Sequence, residues 1–402
     1  MVIGAGAAGL AAADELTRKG ARVLVLEARD RVGGRCWTRR VPGLEIPVEL
    51  GAEFIHGEAR VTHALLKRAG LLAIDSVRAQ RHVVGGRLRP MNAFAEAQRA
   101  VQGARLERDM SFDALLERRR LPAKTKTFAR MMVEGFDAAD PRRVSALSII
   151  EEWGGAELGS SQPRPQGGYG ALLGWLANTV VASGARLRMG AEVKRISWKR
   201  HLATVSGTFG SAKAPRVIVT LPLGVLQAGP LRFREKRSAL RKLASGPVVR
   251  VALRFHEAFW EKHARSVAFF HSPTAPFPTF WTPLPMRAPL LTCWAGGPKA
   301  ARLTGSSTAK LVDAALASVE AVLGKKVRAE LAAAYVQDWR HDPHARGAYS
   351  YLLVGGEGAR EELAAPLDDT IFFAGEATDS EEAGTVAGAL RSGIRAARQV
   401  MR

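Results

Sequence analysis

The sequence predicts an α/β fold, because apolar strands, a glycine-rich turn and a helical pattern follow one another near the N-terminus. The order is an apolar strand at 1–3, a turn with three glycines at 4–9, a helical pattern to about residue 19 and a second apolar strand that ends on Glu27. This order and spacing are typical of a dinucleotide-binding unit of Rossmann type. We therefore expect a doubly wound domain.

The three glycines of the turn have different predicted roles. Gly4 makes the tight turn, Gly6 lets the backbone approach a pyrophosphate, and Gly9 lets the helix pack closely on the strand. The pyrophosphate would lie at the helix N-terminus, where free N–H groups and the helix dipole favour an anion. Glu27 is placed to accept hydrogen bonds from ribose hydroxyl groups, and an acid there disfavours a 2′-phosphate.

The motif continues past Glu27 as Ala28-Arg29-Asp30-Arg31-Val32-Gly33-Gly34-Arg35. With this continuation the chain resembles the FAD-dependent amine oxidase family, which includes monoamine oxidases, polyamine oxidases and flavin-type histone demethylases. Further blocks carry the resemblance along almost the whole chain, at 49–57, 166–169, 217–226, 294–297, 339–343 with 347–351, and 372–378. Ordered blocks of this number are more specific than any one of them.

The resemblance implies a Rossmann-type FAD-binding domain interleaved with a mixed α/β substrate domain. The FAD-binding domain would comprise residues 1–58, 165–235 and 345–402, and the substrate domain residues 59–164 and 236–344. In the middle FAD piece, β-branched residues and glycine punctuation predict a helix at 171–183 and strands at 186–189, 192–198, 203–208 and 216–220. In the substrate pieces we predict helices at 61–69, 91–108 and 111–119 and a strand at 248–255. The proline-rich stretch 273–289 should be extended strand and loop, because proline is excluded from helix interiors.

The resemblance also implies FAD as the cofactor. Arg35, with the glycine pair before it, would contact the diphosphate through its planar fork of donors. Glu376 would lie by the ribityl and phosphate region, and Val193 would contact the adenine end through its backbone. The cofactor-binding residues carried over by position are Gly4, Gly6, Ala8, Gly9, Glu27, Ala28, Arg29, Gly33, Gly34, Arg35, Gly51, Ala52, Glu53, Phe54, Val193, Gly375, Glu376, Thr385 and Val386.

Two further positions bear on how the flavin would be held. Ala348 stands where monoamine oxidases have the cysteine that bonds the flavin, so we expect FAD to be noncovalent. A last helix, from Gly384 to about Met401, would direct its N-terminal amides at the pyrimidine edge of the flavin. Such amides stabilise the negative charge of reduced flavin.

Four residues are candidates for the catalytic site: Tyr349, Thr385, His56 and Arg250. Monoamine oxidases flank the amine with two aromatic rings, and the matching positions here are Tyr349 and Thr385, so only one ring is present. His56 falls where polyamine oxidases place a His or Glu that meets a substrate amine; a loop histidine with a structural hydrogen bond is the alternative. Glu53 lies nearby and could add negative charge or be structural. Trp153, Phe280, Trp281 and Trp294 are candidates for the pocket wall or for a packed core.

Arg250 is the main departure from the family pattern. Most members have a lysine at the start of this strand, which holds a water against the flavin N5 atom and assists reaction with dioxygen. Arginine is larger and planar and does not give up its proton, so the exchange is not conservative. Either Arg250 still positions the water, or the protein handles dioxygen poorly and passes its electrons elsewhere. A third alternative is that Arg250 faces solvent or an acid and the equivalent of the lysine comes from elsewhere in the chain.

By resemblance the reaction is oxidation of an amine to an imine, with dioxygen as acceptor and hydrogen peroxide as product. The substrate would be a small-molecule amine. One alternative is a desaturase-like dehydrogenase of the same fold that acts on C–C or C–N bonds and uses oxygen poorly. Another is a flavin-bearing binding module for a polyanionic partner. The chemistry needs no metal site, and none is evident in the sequence.

Composition gives weaker constraints. The 402 residues are more than one core usually supports. No apolar run reaches the length of a membrane span, and the chain opens directly on the cofactor strand, so neither a span nor a signal peptide is expected. Two cysteines, Cys36 and Cys293, indicate a reducing cytoplasm rather than a disulfide framework.

The net charge of +21 is unusual for an enzyme of this kind. A polyanionic partner is one explanation. The arginines, however, are scattered, and the only dense cluster is Arg118-Arg119-Arg120. We therefore favour an arginine-rich solvated surface and do not expect a specific nucleic-acid partner.

Overall fold

The glycine turn follows the central strand of a parallel sheet. The computed structural model describes residues 1–84, 87–154, 162–229, 231, 233–324 and 327–402. Five strands form this sheet, here called the nucleotide sheet, and in spatial order they are Ile371–Phe373, Val217–Val219, Val2–Ile3, Leu24–Leu26 and Arg186–Arg188. All four pairings are parallel. The expected α/β fold with a Rossmann-type unit is confirmed.

Helices pack on the nucleotide sheet through small residues. The helices are Ala7–Arg18, Arg60–Ala69, Gly168–Ala182 and Val386–Val400. A Cβ added at Gly393 would lie 2.1 Å from the carbonyl oxygen of Ala8. The last helix can therefore approach the first this closely only because glycine has no side chain.

The strands of the nucleotide sheet come from all three predicted pieces of the FAD-binding domain. Two lie within 1–58, two within 165–235 and one within 345–402. A small strand pair, Leu243–Ser245 with Ser350–Leu352, joins the pieces 236–344 and 345–402. The domain boundaries themselves stay a prediction.

A three-stranded antiparallel sheet follows the nucleotide strand Arg186–Arg188. Its strands are Val193–Lys199, Leu202–Gly207 and Gly210–Ala214. The first two were expected from their β-branched residues, whereas the third was missed. Its sequence, GSAKA, is small, polar and largely exposed, so it carries no apolar alternation.

A seven-stranded sheet, here called the substrate sheet, forms the second large layer. In spatial order its strands are Leu331–Asp338, Val248–Phe255, Leu290–Gly296, Thr279–Trp281, Phe269–His271, Gln80–Val84 and Arg87–Met91. Only the pairing of Phe269–His271 with Gln80–Val84 is parallel; the other pairings are antiparallel. The strand predicted at 248–255 is confirmed, and the stretch 273–289 contains the strand Thr279–Trp281 between loops and turns, in line with the expected mixture of strand and loop.

The helical prediction over 91–108 is wrong. Met91 ends a strand and pairs with Gln80, and the helix covers only Ala93–Gln98, capped by the side chain of Asn92. Gly103 then adopts a φ of 68°, which a helix excludes. The apolar spacing of this stretch reflects a strand end, one short helix and a turn.

The remaining elements connect and cover the two large sheets. The other helices are Phe112–Arg118, Ala123–Gly135, Ala146–Gly154, Leu223–Ala228, Arg237–Lys242, Glu261–Ala264, Gly297–Leu303, Thr308–Leu323 and Ala359–Ala364, with single 3₁₀ turns at Arg234–Lys236 and Glu376–Thr378. Two further short strand pairs are Thr38–Arg39 with Val48–Glu49 and Ala73–Ile74 with Arg164–Pro165. Within the described ranges, no helix is both long and apolar enough to cross a membrane.

Candidate cofactor and amine site

A cavity of about 1160 Å³ is lined by residues of both large sheets. Ile3 and Leu26 contribute from the nucleotide sheet, and Arg250 and Trp281 from the substrate sheet. Every predicted cofactor-binding or catalytic residue lines this cavity except Gly9. The structure therefore brings together residues that lie more than 300 positions apart in the sequence.

The glycine turn leaves free volume where a phosphate would approach. Gly4 has a φ of 103°, and a Cβ added at Gly9 would lie 1.9 Å from the carbonyl oxygen of Gly4. A Cβ added at Gly6 would meet nothing closer than 3.9 Å, and Gly6 lines the cavity. Gly9 thus serves helix packing, while a side chain at Gly6 would fill the space that a diphosphate needs.

Glu27 is fixed by backbone amides and faces the cavity. Its Oε2 accepts the N–H of Ala5 at 2.7 Å, and its Oε1 accepts the N–H of Arg29 at 2.9 Å. A carboxylate has about four acceptor positions, so each oxygen keeps one for a ribose hydroxyl. Val193 lines the same cavity from its buried strand position.

Arg35, which is half-buried, and Glu376, which is buried, form an ion pair on the cavity wall. Arg35 Nη1 lies 2.9 Å from Glu376 Oε1 and also donates to the carbonyl of Ala348. Glu376 further accepts the N–H and the hydroxyl of Ser350, at 3.2 and 2.7 Å. Burial by itself would raise the pKa of Glu376, but the charges of Arg35 and Arg360 outweigh it and hold the pKa below its usual value.

Thr385 caps the last helix at the cavity. Its hydroxyl oxygen accepts the N–H of Gly388 at 3.0 Å and donates to the carbonyl of Glu382 at 2.7 Å. The helix begins at Val386, two residues later than expected, and its first turn borders the cavity. The free amides of that turn are available to an anionic group.

Aromatic side chains form the other end of the cavity. Tyr349 donates its hydroxyl to the carbonyl of Phe136 at 2.7 Å, which fixes the ring. Phe54 lies 5.6 Å from Trp281, and Trp281 lies 5.9 Å from Trp294, between ring centroids. These rings line one end of the cavity, and the role of Tyr349 toward an amine stays a prediction.

Two of the four proposed wall aromatics are core residues. Trp281 and Trp294 line the cavity, but Trp153 and Phe280 are fully buried elsewhere. Trp153 packs edge to face on Phe112, and Phe280 stacks on Phe270 at 4.9 Å. The cavity does contain Phe136, which sequence reasoning did not select.

His56 is a neutral group at this aromatic end. Burial lowers its pKa to about 4, and its ring packs edge to face on Phe136 at 5.2 Å. A neutral imidazole can accept a hydrogen bond from an amine N–H. Its role toward substrate stays a prediction.

Arg250 is engaged by an acid, Glu53, rather than free. It is 1 % exposed, donates to the carbonyl of Gly51 at 2.7 Å, and forms an ion pair with Glu53. A second arginine, Arg164, lies 2.7 Å from Glu53, and the indole N–H of Trp281 lies 3.1 Å from both carboxylate oxygens. Burial would raise the pKa of Glu53, but the two guanidinium charges hold it below its usual value.

The sequence offered no signal for three cavity or near-cavity groups. Arg164 was assigned no role, and neither Asp137 nor Glu152 stood out among the acids of their helical segments. Asp137 and Glu152 both line the aromatic end. Contacts between residues over a hundred positions apart could have revealed Arg164, but spacing within one sequence does not.

Comparisons with known proteins identify the family of the chain. A family model described as flavin containing amine oxidoreductase matches residues 7–401. The chain is 29% identical to lysine-specific histone demethylase 1 homolog 3 of Arabidopsis thaliana, over 100% of this chain and 30% of that protein. It is also 29% identical to polyamine oxidase 3 of Oryza sativa subsp. japonica, over 99% of this chain and 88% of that protein. A solved structure of putrescine oxidase bound to putrescine matches with a TM-score of 0.85 at 22% identity, over 100% and 98% of the two chains, which shows a shared fold.

The matched relatives differ in how much of their length the chain spans. Against the histone demethylases, that share is about a third to just over a half. Against the polyamine oxidases it is close to nine tenths.

Proposed function

Because the chain belongs to the family of flavin containing amine oxidoreductases, we propose that it oxidises a small amine to an imine and passes the electrons to dioxygen. Membership places it among oxidoreductases that act on CH–NH groups, and its cofactor is FAD, as the sequence motifs predict. The observation that carries the proposal is the single cavity that joins the dinucleotide-type turn to an aromatic slot.

The residues present fit FAD along the cavity. The open volume beside Gly6 suits the diphosphate, Glu27 suits a ribose, and Arg35 with Glu376 suits the ribityl and phosphate region. When bound, FAD supplies the redox chemistry by accepting the equivalent of a hydride from the carbon that bears the amine, which leaves an imine for water to hydrolyse. Ala348 lies in this cavity without a nucleophilic side chain, which supports noncovalent binding.

The chain's own residues position the amine and exclude bulk water. The Tyr349 ring is held by its hydrogen bond to Phe136 and forms one side of the slot. His56 is neutral and available as an acceptor for an amine N–H. An enclosed slot of fixed rings holds the reacting carbon in place and removes competing water.

Reoxidation by dioxygen with release of hydrogen peroxide is the finer part of the proposal. The positive charge of Arg250 at the cavity wall supports it, because a cation favours the developing anion when dioxygen takes up electrons. The test is a screen of monoamines, diamines and amino acids with oxygen uptake and peroxide measured together. We expect peroxide equal to the aldehyde formed for at least one amine class; aldehyde without peroxide would contradict the dioxygen step.

A second candidate function is an amine dehydrogenase that uses another acceptor. One observation favours it: the Arg250 guanidinium is held by Gly51 and Glu53, so it is less free to position a water than a lysine would be. Turnover with an artificial quinone under nitrogen, compared with turnover in air, separates the two. Fast turnover only with the quinone would favour the dehydrogenase.

A further inference from the structure

A buried amide, the side chain of Gln80, lies on the cavity wall at the aromatic end. Gln80 begins the strand Gln80–Val84 and pairs with Phe269 of the neighbouring strand. The Phe269 ring lies 5.8 Å from Phe54 and 6.0 Å from Trp281, between ring centroids. Gln80 and these three rings all line the cavity. The amide therefore adjoins the place proposed for the amine.

A backbone contact fixes which way the Gln80 amide points. Its Oε1 accepts the N–H of Ala93 at 2.9 Å. A backbone N–H can only donate, so the atom that faces Ala93 must be the amide oxygen and not the amide nitrogen. Nε2 of Gln80 therefore occupies the other branch of the amide and cannot change places with Oε1 without losing this bond.

His271 reinforces this orientation. Its Nε2 lies 3.1 Å from the same Gln80 oxygen, and its Nδ1 lies 3.1 Å from Oγ1 of Thr279. Burial lowers the pKa of His271 to about 3, so the ring is neutral and carries one proton. Because the amide oxygen can only accept, that proton is on Nε2, and Nδ1 accepts the Thr279 hydroxyl. The orientation of the amide is thus set by Ala93, His271 and Thr279 together.

The amide nitrogen of Gln80 is left without a partner in the protein. Gln80 is 7 % exposed, it borders the cavity, and both hydrogen bonds of its side chain use the oxygen. Among the described residues, none accepts a hydrogen bond from Nε2. An enclosed polar group without a partner is unfavourable, and native proteins seldom keep one without a reason. The N–H groups are therefore available to an acceptor supplied by a ligand.

The surroundings of the amide favour a neutral acceptor over an anionic one. The groups that fix it, the Ala93 N–H, the neutral His271 ring and the Thr279 hydroxyl, carry no charge. An anion here would lose its hydration without gaining a cation. Ten carboxyl groups and seven guanidinium groups are among the described residues that line the cavity, which also opposes a carboxylate.

We propose that Gln80 determines specificity by donating a hydrogen bond to a neutral oxygen of the substrate, so that the preferred amine carries an ether or hydroxyl oxygen on its chain. This inference rests on the proposed amine oxidation, because the amino group must lie beside Tyr349. An alkylamine of the same shape places a methylene group against the amide and leaves its N–H groups without an acceptor. Gln80 acts on binding and not on the oxidation step.

The test compares amines that differ by a single oxygen atom. The ligands are hexylamine and its ether analogues 2-propoxyethylamine, 3-ethoxypropylamine and 4-methoxybutylamine, in each of which one methylene group is replaced by oxygen. Because the chain length is constant and the oxygen moves, the series locates the acceptor relative to the amino group. Calorimetric titration of the holoprotein under nitrogen, with the flavin reduced by dithionite, measures binding without turnover. Each Kd is corrected for the fraction of unprotonated amine.

Two variants make the same exchange at different glutamines. Gln80→Met keeps the length of the side chain and removes the donor. Gln337→Met is the matched control, because Gln337 is also buried, at 9 % exposure, and is not among the described residues that line the cavity. The flavin absorbance of each variant shows whether it retains FAD.

The wild type should bind one ether isomer at least about threefold more tightly than hexylamine, the range of one neutral hydrogen bond. In Gln80→Met the order should reverse, because an oxygen without a donor binds an apolar wall less well than a methylene group does. Gln337→Met should keep the wild-type order. The proposal is overturned if hexylamine binds the wild type as tightly as every ether isomer, if none of the four amines binds measurably, or if Gln80→Met retains FAD and keeps the wild-type order.

Anaerobic reduction of the oxidised flavin separates this proposal from the proposed function. Reduction by hexylamine or by any ether isomer supports amine oxidation, whatever the order of binding is. An ether preference that depends on Gln80, without reduction of the flavin, supports the role of Gln80 and contradicts the oxidation of these amines.

Discussion

Two buried acidic sites in the walls of the same cavity behave in opposite ways. Glu53 is flanked by Arg164 and Arg250, and its pKa is held below the usual value. Asp137 lies beside another carboxyl group, Glu152, and burial together with the charge of Glu152 raises its pKa. Burial opposes ionisation at both, so the partners decide the charge state.

The comparison shows that neighbouring groups, more than burial, set the direction of the pKa shift of an acid on this cavity wall. The Glu53 site is satisfied by two guanidinium groups and an indole N–H, all from the chain. Among the described residues, Oδ2 of Asp137 has no hydrogen-bond partner. The Glu53 site is therefore part of the structure of the cavity wall, whereas the fold leaves one oxygen of Asp137 unsatisfied.

Removing Arg164 from the Glu53 site should have the largest effect on stability. In Arg164→Met, Glu53 keeps one of its two cationic partners, Arg250. The backbone carbonyls of Thr282 and Leu284 lose the guanidinium donor. Breaking a buried pair in this way costs about 3–5 kcal/mol, so the free energy of unfolding in urea should fall by that amount. As a control, Arg142→Met removes an ion pair whose arginine is 73% exposed, and it should change stability little. Equal effects of the two substitutions would mean that the Glu53 site does not stabilise the fold.

Glu27 sharpens the comparison, because backbone amides rather than arginines hold this carboxylate. In Glu27→Ala the ribose loses its acceptors, and each charged hydrogen bond is worth about 1.5–3 kcal/mol, or roughly tenfold or more in the Kd for FAD. The flavin that remains after dialysis, measured by absorbance, should fall sharply while the fold is retained. Glu45→Ala, at an exposed loop position, is the control. Flavin content equal to the wild type would place the ribose elsewhere.

Two substitutions of Arg250 test the role of the Glu53 site in reoxidation. Arg250→Lys keeps the positive charge at this position, and Arg250→Met removes it. Arg250→Lys leaves room for a water because the ammonium is compact, so reoxidation of reduced flavin by dioxygen should become several-fold faster. Arg250→Met removes the charge that favours a developing anion and should slow reoxidation. Stopped-flow mixing of reduced protein with air-saturated buffer measures both. Identical rates in the three proteins would remove Arg250 from the oxygen step.

The Asp137 site should give the smallest effect, visible as a pH dependence of stability. Its pKa is raised in the folded protein, so the unfolded chain loses this proton at a lower pH than the folded one does. The group therefore costs stability as pH rises above its unfolded value of about 4, by about 1.4 kcal/mol for each unit of the shift. Asp137→Asn removes this cost. The gain in the free energy of unfolding of the variant over the wild type should therefore be larger at pH 8 than at pH 5. A stability difference that is the same at both pH values would show that Asp137 ionises normally.

Local motifs made the cofactor end predictable from sequence. The glycine turn, Glu27 and Arg35 lie within 35 residues, and their spacing fixes one strand, one turn and one helix. The contacts that complete this end, such as Arg35 with Glu376, follow from the family blocks rather than from spacing. The strand at Gly210–Ala214 was missed because its sequence has no apolar alternation, and the helix at Ala93–Gln98 was predicted too long, as 91–108.

The substrate end was predicted less well for a physical reason. Glu53 meets Arg164 and Arg250 across 111 and 197 positions, and only the tertiary structure determines such pairings. Burial of Trp153 and Phe280 in separate cores depends in the same way on how the layers pack. The unpartnered oxygen of Asp137 is visible only when its surroundings are known.

The central claim is that an amine bound at the aromatic end reduces FAD bound along the glycine turn. The most direct measurement mixes the purified yellow holoprotein with a panel of amines under nitrogen and follows the visible flavin absorbance. We predict amine-dependent loss of that absorbance with at least one amine of the panel. A flavin that stays oxidised with every amine, in protein that retains its full FAD content, would contradict the account.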